Sequence, residues 1–468
     1  PDTLWTRTYG GADIDVAHDA QPATGGGFIL TGYTRSYGAG GHDLWLFKTD
    51  PGGAPEWNVA FGGGSDDEGH AVCQTADGGY AAAGFTKSTG AGGKDVWLVK
   101  VDAAGEPRWT RSFGGSSDDE AYAIRETADG GLILAGATSS FGTAGSRDLW
   151  LIKTDSTGIS EWTRSLGGFG SDGAWSVAPT ADGGFILAGW TFSYGPSGVG
   201  NAWLVKTDPL GNMEWNQPFG GTDVDRGYEA LPTTDGGYIL AGYTDSFGAG
   251  LYDLYLVKTD DAGTEQWSRT FGGTGRDYAN DVVETADGGY LAAGYTLSFG
   301  AGNEDMYLVR TDANGDLQWE TTFGGSASDV AYAVANIPEG GYVVAGHTLS
   351  SGAGLHDAWV IRLTPDGPSD AADHVPRASL SVAVRPNPFS QTAAILFAAP
   401  EAAQARLTIH DSGGRLVRTL EAGSAASSGA GCVVWDGLDQ GGRRALPGIY
   451  WARLRAGSGS TSVKIVRR

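Results

Sequence analysis

Apolar and polar residues alternate over short stretches through the first 364 positions of the chain. Ala121-Tyr-Ala-Ile-Arg-Glu-Thr127 is one such stretch, and the more apolar Leu132-Ile-Leu-Ala-Gly-Ala-Thr138 and Asp148-Leu-Trp-Leu-Ile-Lys-Thr154 follow it. Asp129-Gly-Gly131 separates the first two. Asp155-Ser-Thr-Gly158 leads from the third into Glu161-Trp-Thr-Arg-Ser-Leu166. Asp-Gly and Gly-Gly between alternating β-formers are strong hairpin signals, so this pattern predicts a four-stranded antiparallel meander. No stretch carries a helical period of useful length.

The meander recurs. Trp5, Trp57, Trp109, Trp162, Trp215, Trp267 and Trp319 stand 52 or 53 residues apart, each followed four residues later by an aromatic or Leu and then Gly-Gly. A period near fifty built of short strands marks a propeller blade. The last unit, through Ala331–Asn336, Tyr342–Thr348 and Asp357–Thr364, lacks a Trp strand. The segment Leu4–Tyr9 is a Trp strand with no unit before it. One missing and one spare strand of the same kind predict an all-β, seven-bladed β-propeller over residues 1–366, its ring closed by the N-terminal strand. Closure removes exposed sheet ends. The strand before Asp-Gly-Gly is then innermost and the Trp strand outermost. The Gly-Gly-acidic loops and the longer Gly-rich loops, such as Ser246–Asp253, share one face, the default binding surface.

Repeated residues carry structural expectations. Gly32, Gly84, Gly136, Gly189, Gly242, Gly294 and Gly346 sit inside the second strand, where glycine marks close approach of a backbone or ring, here an aromatic of the neighbouring blade. The third-strand aromatics Trp45, Trp97, Trp150, Trp203, Tyr255, Tyr307 and Trp359 suit packing between blades. Lys48, Lys100, Lys153, Lys206, Lys258, Arg310 and Arg362 end that strand beside turn carboxylates, as surface pairs would.

Composition narrows the class. Glycine reaches 78 of 468 residues without a collagen period, which fits many tight turns. No apolar run reaches eighteen residues, so no membrane span is expected. The chain starts at Pro1 without Met, which suggests a processed or trimmed start. Its two cysteines, Cys73 and Cys432, exclude a disulfide framework and leave the compartment open. Residues 1–370 hold 19 Lys+Arg against 49 Asp+Glu, a balance of −30, so nucleic acid is a poor partner for them. Residues 371–468 hold 12 against 6, a mild +6.

After Thr364 the period ends. Residues 367–379 read as a linker, and 380–468 show strand runs at Leu380–Val384, Ala393–Phe397, Arg406–His410, Cys432–Trp435, Ile449–Leu454 and Ser462–Val466. Their spacing predicts a small immunoglobulin-like β-sandwich. Val384-Arg-Pro-Asn-Pro-Phe389, Asp411-Ser-Gly-Gly-Arg-Leu-Val417, Trp435-Asp-Gly437 with Gly441-Gly442, Pro447-Gly-Ile-Tyr450 and Lys464-Ile-Val466 form an ordered set. The set resembles FlgD-like immunoglobulin modules and the type IX secretion C-terminal sorting domains of Bacteroidota-related bacteria. The resemblance implies export through the outer membrane, the secretion machinery as a partner, and display or release outside the cell. The repeat units are similar to those of secreted proteins carrying such tails, and to kelch blades in length, with Ala-Gly in place of Gly-Gly at the second-strand end.

Candidate chemistry lies in the loops. Asp13, Asp15, Asp66, Asp67, Asp118, Asp119, Asp172, Asp223, Asp225, Asp277 and Asp329 would gather near one end of a central channel, able to draw a cationic ligand, with Asp13 and Asp15 as candidate Ca²⁺ ligands. The competing reading is that Asp beside Gly caps turns. Tyr37, Phe141, Tyr194, Phe247 and Phe299 either form an exposed sugar-stacking rim or tuck inward as loop anchors. Asp312-Ala-Asn-Gly-Asp316 places its Gly fourth and has no Glu at the twelfth position, so it is no calcium loop. No nucleophile elbow or His-Glu-x-x-His is present. The seven His residues lack metal-ligand spacing, and placement in polar loops accounts for each. The expectation is a non-enzymatic extracellular or cell-surface binding or adhesion protein with a glycan or protein ligand and no obligatory cofactor. A self-associating subunit of a surface layer or filament is the alternative, and a carbohydrate-active enzyme the third.

Overall fold

Hydrogen bonding follows the hairpin signals in the computed structural model. Asp119–Glu126, Leu132–Thr138, Asp148–Thr154 and Ser160–Leu166 pair in that order as one antiparallel sheet. Seven such four-stranded sheets occupy the first of two units, Pro1–Gly367. The described residues are 1–143, 146–195, 199–365, 381–385, 392–398, 406–411, 415–420, 430–456 and 459–467. The linker expected at 367–379 lies outside them. The last sheet consists of Asp329–Asn336, Tyr342–Thr348 and Asp357–Leu363, with Thr3–Tyr9 as its fourth strand. Thr8 stands opposite Trp359 and Trp5 opposite Arg362, so the spare N-terminal strand fills the missing place.

Third strands are buried along their whole length in six of the seven sheets because each is covered on both faces. Trp150 and Ile152 pack toward the preceding sheet, with Ala83 and Leu98. Leu149 and Leu151 pack toward the following one, with Leu187 and Val205. A further cluster joins Phe28, Leu30 and Phe47 of the first sheet to Val343, Ala345 and Val360 of the last. Burial of each large apolar side chain stabilises by about 2 kcal/mol, so these clusters between sheets dominate the fold. The third-strand aromatics lie within them, as inter-blade packing requires.

Outer edges are tied by the recurrent tryptophan. The Trp57 ring lies against Gly105 in the Asp-x-x-Gly turn of the next sheet, and its Nε1 donates to the Ala103 carbonyl at 3.2 Å. A Cβ on Gly105 would stand 2.8 Å from the ring, and its φ of 82° already excludes most side chains. Trp109–Gly158, Trp162–Gly211, Trp215–Gly263 and Trp267–Gly315 repeat the contact.

Two expectations need correction. The second-strand glycines face no neighbouring ring: a Cβ on Gly136 would collide with the Glu120 carbonyl oxygen of its own sheet, and the other six meet the equivalent carbonyl. The cause is a β-bulge in every first strand, where the pairing skips His18, His70, Tyr122, Trp175, Tyr228, Asn280 and Tyr332. Six of the seven strand-ending cations do pair with exposed carboxylates but are themselves buried, Arg362 being the exception. Lys153 is only 6 % exposed; its Nζ reaches Asp129 at 2.9 Å and Glu161 at 3.1 Å and donates to the Thr154 carbonyl at 2.9 Å. Lys206 does the same with Asp182 and Glu214. The aliphatic stem packs in the sheet while the ammonium emerges at the turn.

The second unit, Pro368–Arg468, contains a sheet of Ser381–Arg385, Ala393–Ala398 and Ala430–Trp435. Its other sheet orders Leu416–Leu420, Arg406–Asp411, Gly448–Ala456 and Gly459–Arg467. Ile395, Leu407, Ile409, Trp435, Leu454 and Ile465 form its core. Trp435 is fully buried and donates to the Leu438 carbonyl at 2.9 Å, and Tyr450 donates to that of Leu446 at 2.6 Å. Leu416–Leu420 is a strand beyond the six runs expected from the sequence.

Candidate ligand-binding cavity

The bulges determine where seven side chains point. Because one extra residue is inserted at each, the bulged position is turned out of the pleat. His18, His70, Tyr122, Trp175, Tyr228, Asn280 and Tyr332 all line a single cavity of about 550 Å³. That volume suits a small organic ligand. Six of the seven are aromatic and touch in succession. Ring centroids are 5.2 Å apart for Tyr332–His18, 5.3 Å for His18–His70 and 5.1 Å for His70–Tyr122. Tyr122–Trp175 follows at 4.2 Å and Trp175–Tyr228 at 5.5 Å. The belt is held from behind by hydrogen bonds across sheets. His18 Nδ1 donates to the Gly69 carbonyl and His70 Nδ1 to that of Ala121, both at 2.9 Å, while Asn280 donates to Ala331 at 2.7 Å. Pairing with a carbonyl fixes the proton on Nδ1 of both imidazoles. Burial holds His18 down at about 4, helped by the neighbouring His70.

One residue further along each first strand lies a set of charges. Asp19, Glu229 and Asp281 line the cavity together with Arg125. Asp19 accepts from the Val72 amide at 2.9 Å and from Gln21, and Asp281 accepts from the Val282 and Val334 amides, both at 2.7 Å. These two carboxylates are therefore also clasps between sheets. The Glu229 carboxyl makes no hydrogen bond among the described residues; Arg125 lies 3.8 Å away, and the charges of Asp281 and Asp19 also face it. Burial, with the charge of Asp281 added, pushes the Glu229 carboxyl well above the ordinary range against the pull of Arg125. Burial raises Asp281 too, against the Val334 amide. Toward the sixth and seventh sheets the wall is completed by Tyr295, Glu304, Ser328, His347 and His356. His347 is 6 % exposed, its Nδ1 has no hydrogen-bond partner, and its ring lies 4.7 Å from that of His356.

The loop carboxylates stand elsewhere. Asp15, Asp67, Asp119, Asp172, Asp225, Asp277 and Asp329 are fully buried, so they cannot line an open acidic site as expected. Asp119 accepts from Thr138, from Ser140 Oγ at 2.6 Å and from the Gly115 amide at 2.8 Å, which consumes its oxygens locally. Its own amide donates to the Lys94 carbonyl at 2.7 Å, one of seven equivalent bonds between adjacent sheets. The bond from the Asp15 amide to the His356 carbonyl, 2.8 Å, belongs to the same set and joins the first sheet to the last. Asp66 accepts from the His42 amide and Lys87, and Asp118 from the Lys94 amide; both fasten the loop before them. Asp223 is exposed and only receives Thr222. Asp13 accepts the amide of Ile14 and Asp15 is saturated by Thr34, Ser36 and Gly11, so this pair does not form a calcium site. Among the described residues no three His, Cys, Asp or Glu side chains are grouped to hold a metal.

Tyr37, Phe141, Tyr194, Phe247 and Phe299 each lean on the third-strand aromatic of their own sheet, with centroids 5.3 to 6.2 Å apart. Phe141 stays 51 % exposed, whereas Tyr194 is half-buried. The structure does not bring these rings into contact with one another. The histidines were misjudged: His18, His70, His347 and His356 line the cavity rather than scattering over polar loops. A signal for the cavity was present. Aligning the seven units shows one column reading His, His, Tyr, Trp, Tyr, Asn, Tyr, and the next Asp, Ala, Ala, Ser, Glu, Asp, Ala, between Ala or Gly on one side and Ala, Val or Ile on the other.

Comparison with known proteins identifies one part of the chain. Residues 385–460 match the FlgD Ig-like domain. No curated protein matches the sequence. Among solved structures, PorZ of Porphyromonas gingivalis, an essential bacterial surface component of the type IX secretion system, is similar at 13 % identity with a TM-score of 0.43. The likeness covers 98 % of this chain and 60 % of that one, so this chain spans about three fifths of PorZ's length. A protein of unknown function from Dyadobacter fermentans is similar at 11 % identity and TM-score 0.44, covering 78 % of this chain and 99 % of that one. Sqt1 from Chaetomium thermophilum gives 13 % and 0.44, covering 73 % and 83 %. Likenesses at these scores carry no argument about what this chain does. Among the described residues no helix is long and apolar enough to cross a membrane.

Proposed function

We propose that this chain is an exported bacterial binding protein without catalytic activity, displayed at or released from the cell surface. In this reading the seven sheets are blades of a closed propeller and the ligand sits in the cavity that their first strands surround. The observation that carries it is where the repeat breaks. Turns, latches and cores recur from sheet to sheet, while the bulged column facing the cavity holds His, Tyr, Trp or Asn and the next holds Asp, Glu, Ser or Ala. A purely architectural ring has no need of that variety, whereas recognition of an asymmetric ligand does. Closure is supported by the pairing of Thr3–Tyr9 with Asp357–Leu363 and by the bond from Asp15 to His356.

Export is supported by the FlgD Ig-like match together with the ordered motifs around Trp435, Tyr450 and Lys464. The test is a reporter fused to residues 368–468 and produced in a bacterium that has the type IX system. Appearance of the reporter on the cell surface or in the medium, lost in a strain without that system, is the expected result. Retention in the periplasm in both strains would remove the sorting role. The near-identical outer strands favour the second reading, a self-associating surface subunit. Ordered arrays of the full chain in electron micrographs would promote it.

A further inference from the structure

The charge and lining of the cavity say what class of ligand it suits, provided the binding reading above holds. Three carboxylates, Asp19, Glu229 and Asp281, face one guanidinium, Arg125, and Glu304 adds a fourth acid at the wall. Burial lowers His18, His347 and His356, so these three histidines add no positive charge. The belt of six touching rings lines the same cavity, and an aromatic face attracts a cation within about 6 Å. We propose that the cavity binds a small organic ammonium ion, its charge directed toward Glu229 and its alkyl groups enclosed by the rings of Trp175, Tyr228 and Tyr122.

Glu229 is the informative residue. Its equivalents in other sheets are Ala71, Ala123 and Ala333, or Ser176, Asp19 and Asp281, which hydrogen-bond to the next sheet. Glu229 makes no such bond, so the fold gains no clasp from it and bears the cost of a buried acid. His347 adds a second group without a partner, a nine-tenths buried imidazole whose Nδ1 is unbonded in the cavity wall. A bound ammonium would give Glu229 a second cation beside Arg125, against the carboxyls of Asp281 and Asp19. It would also compete with the proton there, since Glu229 is faced by Asp281, Asp19 and Arg125 and resists ionising while the cavity is empty.

The repeat supplies substitutions that the scaffold already accommodates: Ala at the Glu229 position, as at Ala71, and Asn at the Trp175 position, as at Asn280. Titration calorimetry on the full chain would use choline, butylammonium and the tripeptide Gly-Lys-Gly, with glucose and acetate as neutral and anionic counterparts. Binding of choline or butylammonium is expected, weakened about tenfold by Glu229→Ala and by Trp175→Asn and unchanged in Asp129→Asn at the turn. Binding should tighten as pH rises above the ordinary carboxylate range, because the ammonium then competes less with the proton on Glu229. Preference for Gly-Lys-Gly would identify a lysine side chain as the source of the ammonium. Equal affinity in Glu229→Ala, or no heat from any ammonium probe, would overturn the inference. Glucose or acetate binding that Trp175→Asn abolishes would overturn it too, yet leave the cavity as a binding site. The reporter experiment on export is independent of all these outcomes.

Discussion

The outer wall and the cavity wall of the first unit are built on opposite principles. Along the outer wall each sheet repeats the same fastening: Trp57 against Gly105, Trp109 against Gly158, Lys153 between Asp129 and Glu161, Lys206 between Asp182 and Glu214. Along the cavity wall, equivalent positions hold imidazole, phenol, indole or carboxamide, then carboxylate, hydroxyl or methyl. Repetition outside is what a set of equivalent interfaces requires, because each sheet contacts only its neighbours. Variety inside has no such explanation, and it coincides with unfavourable chemistry: a Glu without a hydrogen bond and an imidazole nitrogen without a partner. The lesson is that symmetry marks what holds the fold, and its interruption marks where the fold was spent on something else.

The bulge connects the two walls, so breaking it should have the largest effect. Gly136→Val would drive a branched side chain into the Glu120 carbonyl and force Tyr122 back into the pleat. A loss of about 3 kcal/mol or more is expected in chemical denaturation, with ligand binding lost as well. The outer latch comes next. Lys153→Met keeps the buried stem but removes the donor to the Thr154 carbonyl, costing about 1 kcal/mol at pH 7, since the carboxylates it faces are solvent-exposed and screened. The Thr127 hydroxyl and Lys153 hold Asp129 down at about 2. Its folded pKa lies below the unfolded one, so its contribution is present above the ordinary Asp range and fades as pH falls toward 2. The gap between wild type and variant should close over that interval in pH-dependent unfolding.

The smallest effect should have the opposite sign. Glu229 is raised in the folded state, so the native protein binds the extra proton and loses stability as pH climbs above the ordinary carboxylate range. Glu229→Gln cannot ionise. It should gain about 0.5 kcal/mol at pH 8, and the gain should vanish near pH 4, as read from thermal midpoints. A stabilising substitution on the cavity wall beside destabilising ones on the outer wall would sharpen the contrast. A loss at pH 8 would instead make Glu229 part of the fastening.

Much of the scaffold was legible along the chain. Hairpin dipeptides, strict alternation and the Trp period give the seven meanders, and the spare strand at Leu4–Tyr9 finds the place the count assigns it, because such signals act within a few residues. The candidate site was less so. Asp67 and Asp119 read either as loop ligands or as turn caps, and only the fold shows Thr86 and Thr138, nineteen residues on, taking their oxygens. Lys153 and Lys206 read as surface charges, but the sheets on both sides bury their stems.

What the sequence determined alone is the unit: which residues turn, which extend, and how often the unit returns, all set by local backbone preference and hydrophobic period. Tertiary structure decided which face of each strand became an interior. Residues as distant as His18 and Tyr332 meet only because the sheets pack in order, and the bulge that aims them arises between two strands, not within one. A cavity wall assembled from one residue per sheet has no local signature, since its members are neighbours only after the chain has folded.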